Sequence, residues 1–451
     1  MPFTVFGISG LRGIVGDDLT PETCARVAAV FAGRIGPGTV ALGRDARPSG
    51  SLLSAAAAAG LLAAGRRVRD LGICPTPTVL HHVRSHRLAG GLVVTASHNP
   101  EEWNGLKFVG AEGRFLDPAA FARFRDAVAA GSPGYVRWRG VGRLDPAPDA
   151  IAEHVAAVTG HPAFGRVHGM AGGLKVGIDA VNGAASVAAA RLVEAFGAEP
   201  VCLNCNPSPA ALADGFPRRP EPTPANLASL GGLVRAQDLD FGVGFDPDGD
   251  RAGFVDEHGT PLPEELTVCL ACEWLLPLLE KSGPVVVNLS TTRAVEDVCA
   301  RHSVKVARAP VGEASVVARM RELSSPLGGE GNGGVIFPAV NATRDGLVAL
   351  ACAIGLAGES GLSARAARVP RYRMHKAVLP LGAAEFAARR GRLQAGFPGA
   401  PADEQDGLRF ELDDGWVHVR PSNTEPAVRV IAETRSSDPA ALVERVRRAL
   451  Q

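Results

Sequence analysis

Three stretches of the chain repeat one order of apolar and polar positions. Each stretch begins with a short apolar run, passes through a loop of small residues, continues as an alanine-rich or amphipathic helix and returns to an apolar run. The opening runs and the helical patterns that follow them lie at 39–43 and 51–64, at 175–179 and 187–196, and at 285–288 and 295–302. Strands that alternate with helices favour parallel or mixed sheets covered by helices. The pattern therefore predicts a fold of the α/β class with three similar α/β domains and mixed sheets.

The last part of the chain, from about Tyr372, has a different pattern. Two alternating runs at 416–420 and 427–431 flank a polar loop, which is typical of a pair of neighbouring strands. An amphipathic helix follows from Asp438, whose side chain can cap it, to Leu450. These features predict a smaller C-terminal α+β domain. We place the four domains at 1–150, 151–255, 256–368 and 369–451.

The charge of the 451-residue chain is balanced, with 47 Lys and Arg against 47 Asp and Glu. No net field therefore attracts the protein to nucleic acid or to an anionic membrane, and any basic site must be local. No apolar run reaches the length of about 18 residues that a membrane span requires. The first residues, Met-Pro-Phe-Thr, lack the pattern of a secretory signal. We expect a cytoplasmic protein with no nucleic-acid or membrane partner.

Two pairs among the eight cysteines, Cys202 with Cys205 and Cys269 with Cys272, have the two-residue gap that zinc sites favour. The alternative is that these cysteines are buried free thiols. Cys269 and Cys272 fall in an apolar helical stretch, where cysteine behaves as a small hydrophobic residue. Thiols in the cytosol usually stay reduced. We therefore favour buried thiols over zinc.

The strongest chemical motif is Asp-Pro-Asp-Gly-Asp-Arg at 246–251, directly after a strand-like run. Asp246, Asp248 and Asp250 stand at alternate positions of a tight turn, where they can converge on a hard cation. Without a cation, only solvent relieves the repulsion between their charges. A calcium loop of the EF-hand type is excluded, because Arg251 stands where that loop requires glycine and a strand precedes it. Carboxylates that leave positions for water and a phosphate oxygen favour Mg²⁺.

A second motif is Thr-Ala-Ser-His-Asn-Pro at 95–100, where an apolar strand ends in an abrupt polar turn. Ser97 can act there as a nucleophile if a base or a metal assists it, but the same place suits a serine that only stabilises a turn. His98 is likewise either catalytic or structural. Two small basic loops, at 9–13 and 43–50, can bring N–H groups and arginines to an anion, or their Arg-Asp pairs can simply brace the loops.

Two further loops carry groups suited to a sugar phosphate. The loop Arg-Pro-Ser-Asn-Thr-Glu-Pro at 420–426, with Arg429 on the next strand, combines arginines, hydroxyls and an amide, which favours a phosphate site over a simple turn. The loop Gly-Gly-Glu-Gly-Asn-Gly-Gly at 328–334 carries Glu330 and Asn332, which can bind neighbouring sugar hydroxyls. A flexible hairpin has the same glycine-rich composition and is the alternative.

In this order, the motifs around Ser97, the three aspartates, Glu330 and Arg420 resemble the α-D-phosphohexomutase superfamily, over the whole chain. The resemblance extends to Phe-Gly-Ile-Ser-Gly-Leu-Arg-Gly at 6–13, Asn-Gly-Ala at 182–184, Phe-Pro-Arg-Arg-Pro-Glu-Pro at 216–222 and Pro-Val-Gly-Glu at 310–313. It implies a central cleft between the three α/β domains and the smaller fourth domain. It also implies a hexose phosphate as substrate, Mg²⁺ as cofactor, and a hexose 1,6-bisphosphate as intermediate and activator.

The same resemblance implies roles for individual residues. The residues implied for catalysis are Ser97, which would carry the phosphoryl group, Arg12, Lys107 and Arg251, which would stabilise the transferring charge, and Lys107 or His98 as general acid and base. The residues implied for Mg²⁺ are Ser97, Asp246, Asp248 and Asp250. Glu330 would hold sugar hydroxyls. The residues implied for the phosphate that does not react are Arg420, Ser422, Asn423, Thr424 and Arg429.

The chain departs from many members of that superfamily at three positions that bear on the choice of sugar. Asn332 and Gly334 stand where many members carry Ser and His, and Asn423 stands where many carry Gly. The loops at 328–334 and 310–313 look most like those of phosphoglucosamine mutases of the archaeal type, with phosphomannomutase or phosphoglucomutase activity as the alternative. The same motifs would also suit a metal-dependent phosphatase or a phosphosugar-binding protein without turnover. We expect a monomer or a homodimer.

Overall fold

The computed structural model of the chain describes residues 5–7, 10–131, 133–147, 149–279, 283–422 and 427–451. The strands in these ranges form four sheets. None of the helices in the same ranges is both long enough and apolar enough to cross a membrane.

The first sheet is mixed and contains eight strands. In chain order they are β1 Val5–Gly7, β2 Gly10–Ile14, β3 Val40–Arg44, β4 Val68–Ile73, β5 Gly90–Val94, β6 Trp103–Gly110, β7 Arg114–Phe115 and β8 Leu144–Pro146. Their order across the sheet is β1-β2-β6-β5-β3-β4-β8, with β7 paired to β6. Strands β3, β4, β5 and β8 are parallel, whereas β6 pairs antiparallel with β5 and β2. The associated helices are α1 Pro21–Ala32, α2 Gly50–Ala63, α3 Thr76–Ser85 and α4 Pro118–Ala130.

The second sheet has four strands in the order β10-β9-β11-β12. Their bounds are β9 Lys175–Asp179, β10 Glu199–Leu203, β11 Phe241–Phe245 and β12 Ala252–Val255. Strand β9 is parallel to both of its neighbours, and β12 is antiparallel to β11. The helices of this part are α5 Ala150–Thr159, α6 Val167–Met170, α7 Ala185–Phe196 and α8 Ala228–Gln237.

The third sheet has five strands in the order β14-β13-β15-β16-β17. Their bounds are β13 Val285–Asn288, β14 Val306–Ala309, β15 Gly328–Glu330, β16 Gly334–Phe337 and β17 Asn341–Arg344. Strand β13 is parallel to β14 and β15, and β16 is antiparallel to both neighbours. The helices are α9 Leu266–Leu275, α10 Ala294–Arg301, α11 Glu313–Glu322, α12 Gly346–Ser360 and α13 Leu362–Ala367.

The fourth sheet is antiparallel throughout, in the order β18-β22-β21-β20-β19. Its strands are β18 Arg373–Leu379, β19 Ala402–Asp403, β20 Leu408–Leu412, β21 Gly415–Pro421 and β22 Val428–Thr434, and its helices are α14 Ala383–Ala395 and α15 Pro439–Leu450. As predicted, the Asp438 side chain caps α15, accepting from the Ala440 N–H at 3.0 Å. The predicted smaller α+β domain is confirmed.

The first three sheets share one four-stranded unit. In each unit the first strand is central, the second and third flank it in parallel, and the fourth runs antiparallel beside the third. The units are β3-β4-β5-β6, β9-β10-β11-β12 and β13-β14-β15-β16. The predicted series of three similar α/β domains with mixed sheets is therefore confirmed.

The second and third sheets are joined by one continuous hydrophobic core, whereas the first and fourth sheets have cores of their own. Helix α12 explains the joining. It packs against α6 and α7 on one side and against α9 and β16 on the other, and its residues from Gly346 to Ala357 are all buried. A helix that is apolar on all faces requires such a central position.

The prediction of buried thiols is confirmed for Cys269 and Cys272, is wrong for Cys202, and holds only in part for Cys205, which is half-buried. Cys269 and Cys272 are buried in α9, as expected of small hydrophobic residues. Cys202, in contrast, is exposed. It lies on β10, at the edge of the second sheet.

Candidate active site

The candidate site residues of the three α/β domains lie in three loops, which occupy the same place in each four-stranded unit. Ser97 follows β5, the aspartates follow β11, and Glu330 ends β15, each before the antiparallel fourth strand of its unit. In α/β sheets, ligands bind beyond the carboxyl ends of the parallel strands. The repeated topology therefore brings the three loops to corresponding sheet edges, and side chains from one loop contact the next.

The Ser97 backbone lies in the left-handed region, with φ at 53°, which non-glycine residues rarely adopt. The conformation is stabilised locally, because the Ser97 N–H donates to Thr95 Oγ1 at 2.9 Å and Thr95 Oγ1 donates to Asp45 Oδ2 at 2.6 Å. Ser97 is 1% exposed, and its Oγ has no hydrogen-bond partner among the described residues. A buried hydroxyl without a partner is costly unless a ligand or a reaction uses it.

Arg47 stabilises the loop that contains Ser97 through hydrogen bonds to its carbonyl groups. Its Nε donates to Asp45 Oδ2 at 3.0 Å, and its two terminal nitrogens donate to four carbonyl oxygens of the loop, at Ser97, Asn99, Pro100 and Trp103. All five N–H groups of the guanidinium are thereby used, and the residue is 1% exposed. Of the two alternatives for the basic loop at 43–50, Arg47 has the bracing role.

Asp246, Asp248 and Asp250 are fully buried, and one carboxylate oxygen of each lies within 4.8 Å of the others. Each aspartate uses one oxygen for protein contacts and leaves the other, Asp246 Oδ2, Asp248 Oδ1 and Asp250 Oδ1, without a hydrogen-bond partner in the described part of the chain. Ser97 Oγ is a further buried oxygen that lacks a hydrogen-bond partner among the described residues. The oxygen-only set of the three aspartates fits Mg²⁺, which also keeps positions for water and phosphate oxygens.

Positive groups surround the aspartates. Lys107 Nζ, on β6, lies 2.6 Å from Asp248 Oδ2 and 3.4 Å from Asp250 Oδ2, and Arg251 Nε lies 3.8 Å from the unpartnered oxygens of Asp246 and Asp250. Burial, and then the neighbouring carboxylates of Asp250 and Asp248, raise the pKa of Asp246 well above its usual value. Burial opposes the charge of Lys107, but Asp248 and Asp250 outweigh it and the pKa of Lys107 is raised. The negative charge of the three aspartates therefore favours the binding of a cation.

His98 and Arg12 connect the serine loop to this charge cluster. Arg251 donates from Nη2 to His98 Nδ1 at 3.1 Å, so the neutral imidazole carries its proton on Nε2. Burial, followed by the charges of Arg251 and Arg12, lowers the pKa of His98 and keeps the ring neutral. Arg12 donates to Asn99 Oδ1 at 2.7 Å, and burial lowers the pKa of Arg12 to about 10. All five residues implied for catalysis thus lie in one connected cluster.

Arg344, which the sequence analysis missed, bridges the aspartate loop at 246–251, here called the metal loop, and the glycine-rich loop at 328–334, here called the sugar loop. It donates to Asp250 Oδ2 at 2.6 Å and to Glu330 Oε2 at 2.8 Å, and its Nε lies 3.3 Å from Glu313 Oε2. Its place at the end of β17, in Asn-Ala-Thr-Arg-Asp-Gly before a helix, was the available signal. Arg344 stands between the two halves of the site and couples their positions.

The two sugar-loop residues differ in how much hydrogen-bonding capacity they keep. The Glu330 carboxylate already accepts from Asn288 Nδ2 at 2.8 Å, from the Gly312 N–H at 3.1 Å and from Arg344. It is 2% exposed. Asn332 Oδ1 is buried and accepts from no donor among the described residues. Asn332 Oδ1 therefore keeps its full acceptor capacity for a ligand, whereas Glu330 keeps about one of the four acceptor positions of a carboxylate.

The predicted phosphate loop is described only in part, since Asn423 and Thr424 lie outside the described residues. Arg420 lies near the end of β21, and Ser422 directly follows that strand. Arg429, on the neighbouring strand β22, is the register partner of Arg420. Arg420 Nε donates to Asp406 Oδ2 at 2.9 Å, and the same oxygen accepts from the Val311 N–H at 3.1 Å. Asp406 therefore links the phosphate loop to the Pro-Val-Gly-Glu segment beside Glu330.

Comparison with known families covers this whole arrangement. The models of phosphoglucomutase/phosphomannomutase α/β/α domains I, II and III match residues 4–132, 152–259 and 263–372, and the model of the C-terminal domain matches 374–449. The chain belongs to the phosphoglucomutase/phosphomannomutase family, whose members are isomerases that transfer phosphate within sugar phosphates.

Individual relatives cover nearly the full chain. A protein of Methanopyrus kandleri named "probable phosphoglucosamine mutase" is 36% identical over 445 residues, 96% of this chain and 95% of its own length. The phosphoglucomutase/phosphomannomutase of Thermococcus kodakarensis is 32% identical, over 97% of this chain and 96% of its own. A solved phosphoglucomutase/phosphomannomutase family protein from Burkholderia thailandensis has a TM-score of 0.86 and 28% identity, over 100% of this chain and 97% of that one.

Proposed function

We propose that this phosphohexomutase interconverts hexose 6-phosphate and hexose 1-phosphate through a phosphorylated Ser97, with Mg²⁺ bound by Asp246, Asp248 and Asp250. One observation carries the proposal: four buried oxygens, one on Ser97 and one on each aspartate, have no hydrogen-bond partner in the described part of the chain. Mg²⁺, when bound, would neutralise charge on the transferring phosphoryl group.

The side chains of the cluster supply the other requirements of phosphoryl transfer, which are positioning and charge stabilisation. The bond between phosphorus and Ser97 Oγ breaks as a bond forms to the free sugar oxygen, which gives a hexose 1,6-bisphosphate. Arg12, Lys107 and Arg251 stabilise the charge that moves. The Lys107 ammonium, or the Nε2–H of His98, gives a proton to the departing Ser97 Oγ, and the same group then takes the proton of the sugar hydroxyl, so its starting protonation is restored. The bisphosphate then reorients in the cleft and returns its other phosphoryl group to Ser97.

Binding of the rest of the substrate falls to the third and fourth parts of the chain. Glu330 and Asn332 hold the sugar, while Arg420, Ser422, Asn423, Thr424 and Arg429 hold the phosphate that does not react. The link from Arg420 through Asp406 to Val311 supports coupling of these two tasks. A hexose 1,6-bisphosphate acts as activator by phosphorylating Ser97.

We infer that glucosamine phosphate is the preferred substrate. A 2-ammonium group needs acceptor oxygens, and the sugar loop offers Asn332 Oδ1, which lacks a donor in the described residues, two positions after Glu330. The name of the Methanopyrus kandleri relative supports the same sugar. Phosphomannomutase or phosphoglucomutase activity is the second candidate, which the name of the Thermococcus kodakarensis relative supports.

Mass spectrometry of the purified protein tests the reaction. After incubation with glucose 1,6-bisphosphate and Mg²⁺, we expect a gain of about 80 Da on the peptide that contains Ser97, because phosphorylation adds one phosphoryl group. Turnover of glucosamine, glucose and mannose phosphates is then compared on the same preparation. An unmodified Ser97 in a preparation that isomerises substrate would overturn the phosphoserine mechanism. Release of free phosphate in excess over isomerised sugar would identify a phosphatase.

Substitution of Asn332 tests the choice of sugar. Hydrogen bonds to charged groups are worth about 1.5–3 kcal/mol, so Asn332→Ala should lower kcat/KM for glucosamine 6-phosphate by about 10- to 100-fold. The loss for glucose 6-phosphate should be smaller, since its 2-hydroxyl is neutral. Asn332→Asp keeps an acceptor and serves as the matched variant, with preference for the amino sugar retained. Equal losses for both sugars in Asn332→Ala would contradict the assignment.

Several coarser expectations accompany this proposal. The division of the chain at 1–150, 151–255, 256–368 and 369–451, the cytoplasmic location and the monomeric or homodimeric state are part of it. Balanced charge supports the absence of a nucleic-acid partner.

A further inference from the structure

A cluster of two histidines and one glutamate lies outside the candidate active site. His82 is in the last turn of α3, and His86, which follows the helix, is its C-cap residue. Residues four positions apart on a helix share one face. Glu153 reaches the cluster from α5, a helix that packs against α3 of the first sheet and α7 of the second. The three side chains therefore meet where these two parts of the fold are in contact.

The three side chains are in hydrogen-bond contact, slightly closer together than the ligands of a zinc site. Glu153 Oε2 lies 2.8 Å from His82 Nδ1 and 3.0 Å from His86 Nε2, and the three candidate ligand atoms lie within 4.8 Å of one another. The two imidazole rings are 4.1 Å apart between centroids, with an angle of 38° between their planes. In a tetrahedral zinc site with bonds of about 2.0–2.1 Å, neighbouring ligand atoms are about 3.3 Å apart. Small outward shifts therefore make room for an ion.

Burial and access also suit a metal site. The His82 side chain is fully buried, and an imidazole that binds a metal ion is neutral. The side chains of His86 and Glu153 are 30% and 29% exposed, which leaves an entry path and an open position for water. Arg69 Nη1 lies 3.4 Å from His82 Nε2, the ring nitrogen that does not face Glu153. Arg69 must move slightly when that nitrogen carries the proton, but it does not occupy the ion's position.

The position of His82 and His86 at the C-terminal end of α3 also favours a bound cation. The carbonyl groups at a helix C-terminus carry partial negative charge, which favours a cation. Two imidazoles and one carboxylate select ions of the zinc, cobalt and nickel type over Mg²⁺, which prefers an all-oxygen set.

We propose that His82, His86 and Glu153 form a binding site for a divalent transition-metal ion of the zinc type, with water as the fourth ligand. The ion ties α3 to α5. The N-terminus of α3 in turn contacts the metal loop of the candidate active site, since Thr76 donates from its backbone N–H to the Asp248 carbonyl at 2.9 Å and from Oγ1 to Asp248 Oδ2 at 2.6 Å. The ion therefore anchors the helix that positions Asp248.

Cobalt titration of the full chain, with Mg²⁺ in excess to occupy the aspartates, tests the site. We expect one Co²⁺ with the visible absorption of a four-coordinate, nitrogen-ligated ion, displaced by an equivalent of Zn²⁺. Loss of groups that only support metal ligands already costs about 10- to 100-fold in affinity. His86→Gln and Glu153→Gln, which remove ligands, should therefore weaken binding by more than about 100-fold. His375→Gln, at an exposed histidine on β18, should bind as the wild type does.

A stability measurement separates binding at this site from binding elsewhere. Zn²⁺ should raise the melting temperature of the wild type at constant Mg²⁺ and should not raise that of His86→Gln, because an ion that binds only the folded state stabilises it. Cys202→Ser should leave both results unchanged, since the exposed thiol is a metal-binding group that lies outside the proposed site. An absorption band retained in both His86→Gln and Glu153→Gln, or lost in Cys202→Ser, would overturn the proposal. The test does not depend on the proposed reaction.

Discussion

Ser97→Ala is expected to lower kcat by about 10⁴-fold or more, with every sugar phosphate, because loss of a nucleophile removes the covalent step of an enzyme. The variant should also fail to gain mass on incubation with glucose 1,6-bisphosphate. Folding should be nearly unchanged, because Ser97 Oγ makes no hydrogen bond within the described residues. Steady-state kinetics with excess Mg²⁺, together with mass spectrometry of the Ser97 peptide, measure both effects.

The control is Ser51→Ala, which removes a hydroxyl from an exposed residue in the first turn of α2. It should keep wild-type kcat and phosphorylation. If Ser97→Ala turned over substrate at the wild-type rate, Ser97 would not carry the phosphoryl group and the mechanism proposed above would be lost.

Arg47→Met is expected to destabilise the part of the fold around the first sheet by about 3–5 kcal/mol, which is the usual cost of leaving one member of a buried ion pair alone. Asp45 would remain buried without its cation, and four loop carbonyls would lose their donors. Release of the loop should also lower kcat, since it changes the position of Ser97. Urea unfolding, with hydrogen exchange followed at the amides of β5 and β6, reports the stability of this region.

Two variants separate charge from loop support. In Asp45→Asn with Arg47→Met the buried charge is gone, so part of the lost stability should return while kcat stays low. Arg125→Met removes an exposed arginine on α4 and should change stability by no more than about 0.5 kcal/mol. If Arg47→Met unfolded at the wild-type urea concentration, the hydrogen bonds of Arg47 to the serine loop would contribute nothing to stability.

Local features of the fold were predictable from the sequence because each depends on residues close together along the chain. The helix expected at 51–64 is α2, Gly50–Ala63, and the one expected at 295–302 is α10, Ala294–Arg301. The glycines and small residues of the loops mark where each strand ends. Three copies of one pattern also indicated three similar domains.

The bonds between loops were not predictable in the same way. Arg344 and Asp250 are 94 positions apart, and Arg47 reaches carbonyl groups about 50 positions further along the chain. An arginine in a sequence indicates a positive charge but not the direction in which it donates. Arg344 was therefore missed, and the role of Arg47 stayed open between an anion and a brace.

The sugar loop is a second case in which contacts between distant residues were not predictable from the sequence. Its glycines and its carboxylate indicated a place where a ligand can approach the backbone. The sequence could not reveal that Glu330 already accepts three hydrogen bonds, from Asn288, Gly312 and Arg344. Those donors come from β13, the turn before α11 and the end of β17, so only the folded sheet brings them together.

The common core around α12 has a consequence for synthesis on the ribosome. The last strand of the second sheet, β12, is complete about 100 residues before the end of α12, and translation proceeds at about 5–20 residues per second. The apolar face that α12 covers thus stays open for about 5–20 s in each round of translation. During that interval the apolar surface is open to aggregation, and slow codons between β12 and α12 would lengthen its exposure.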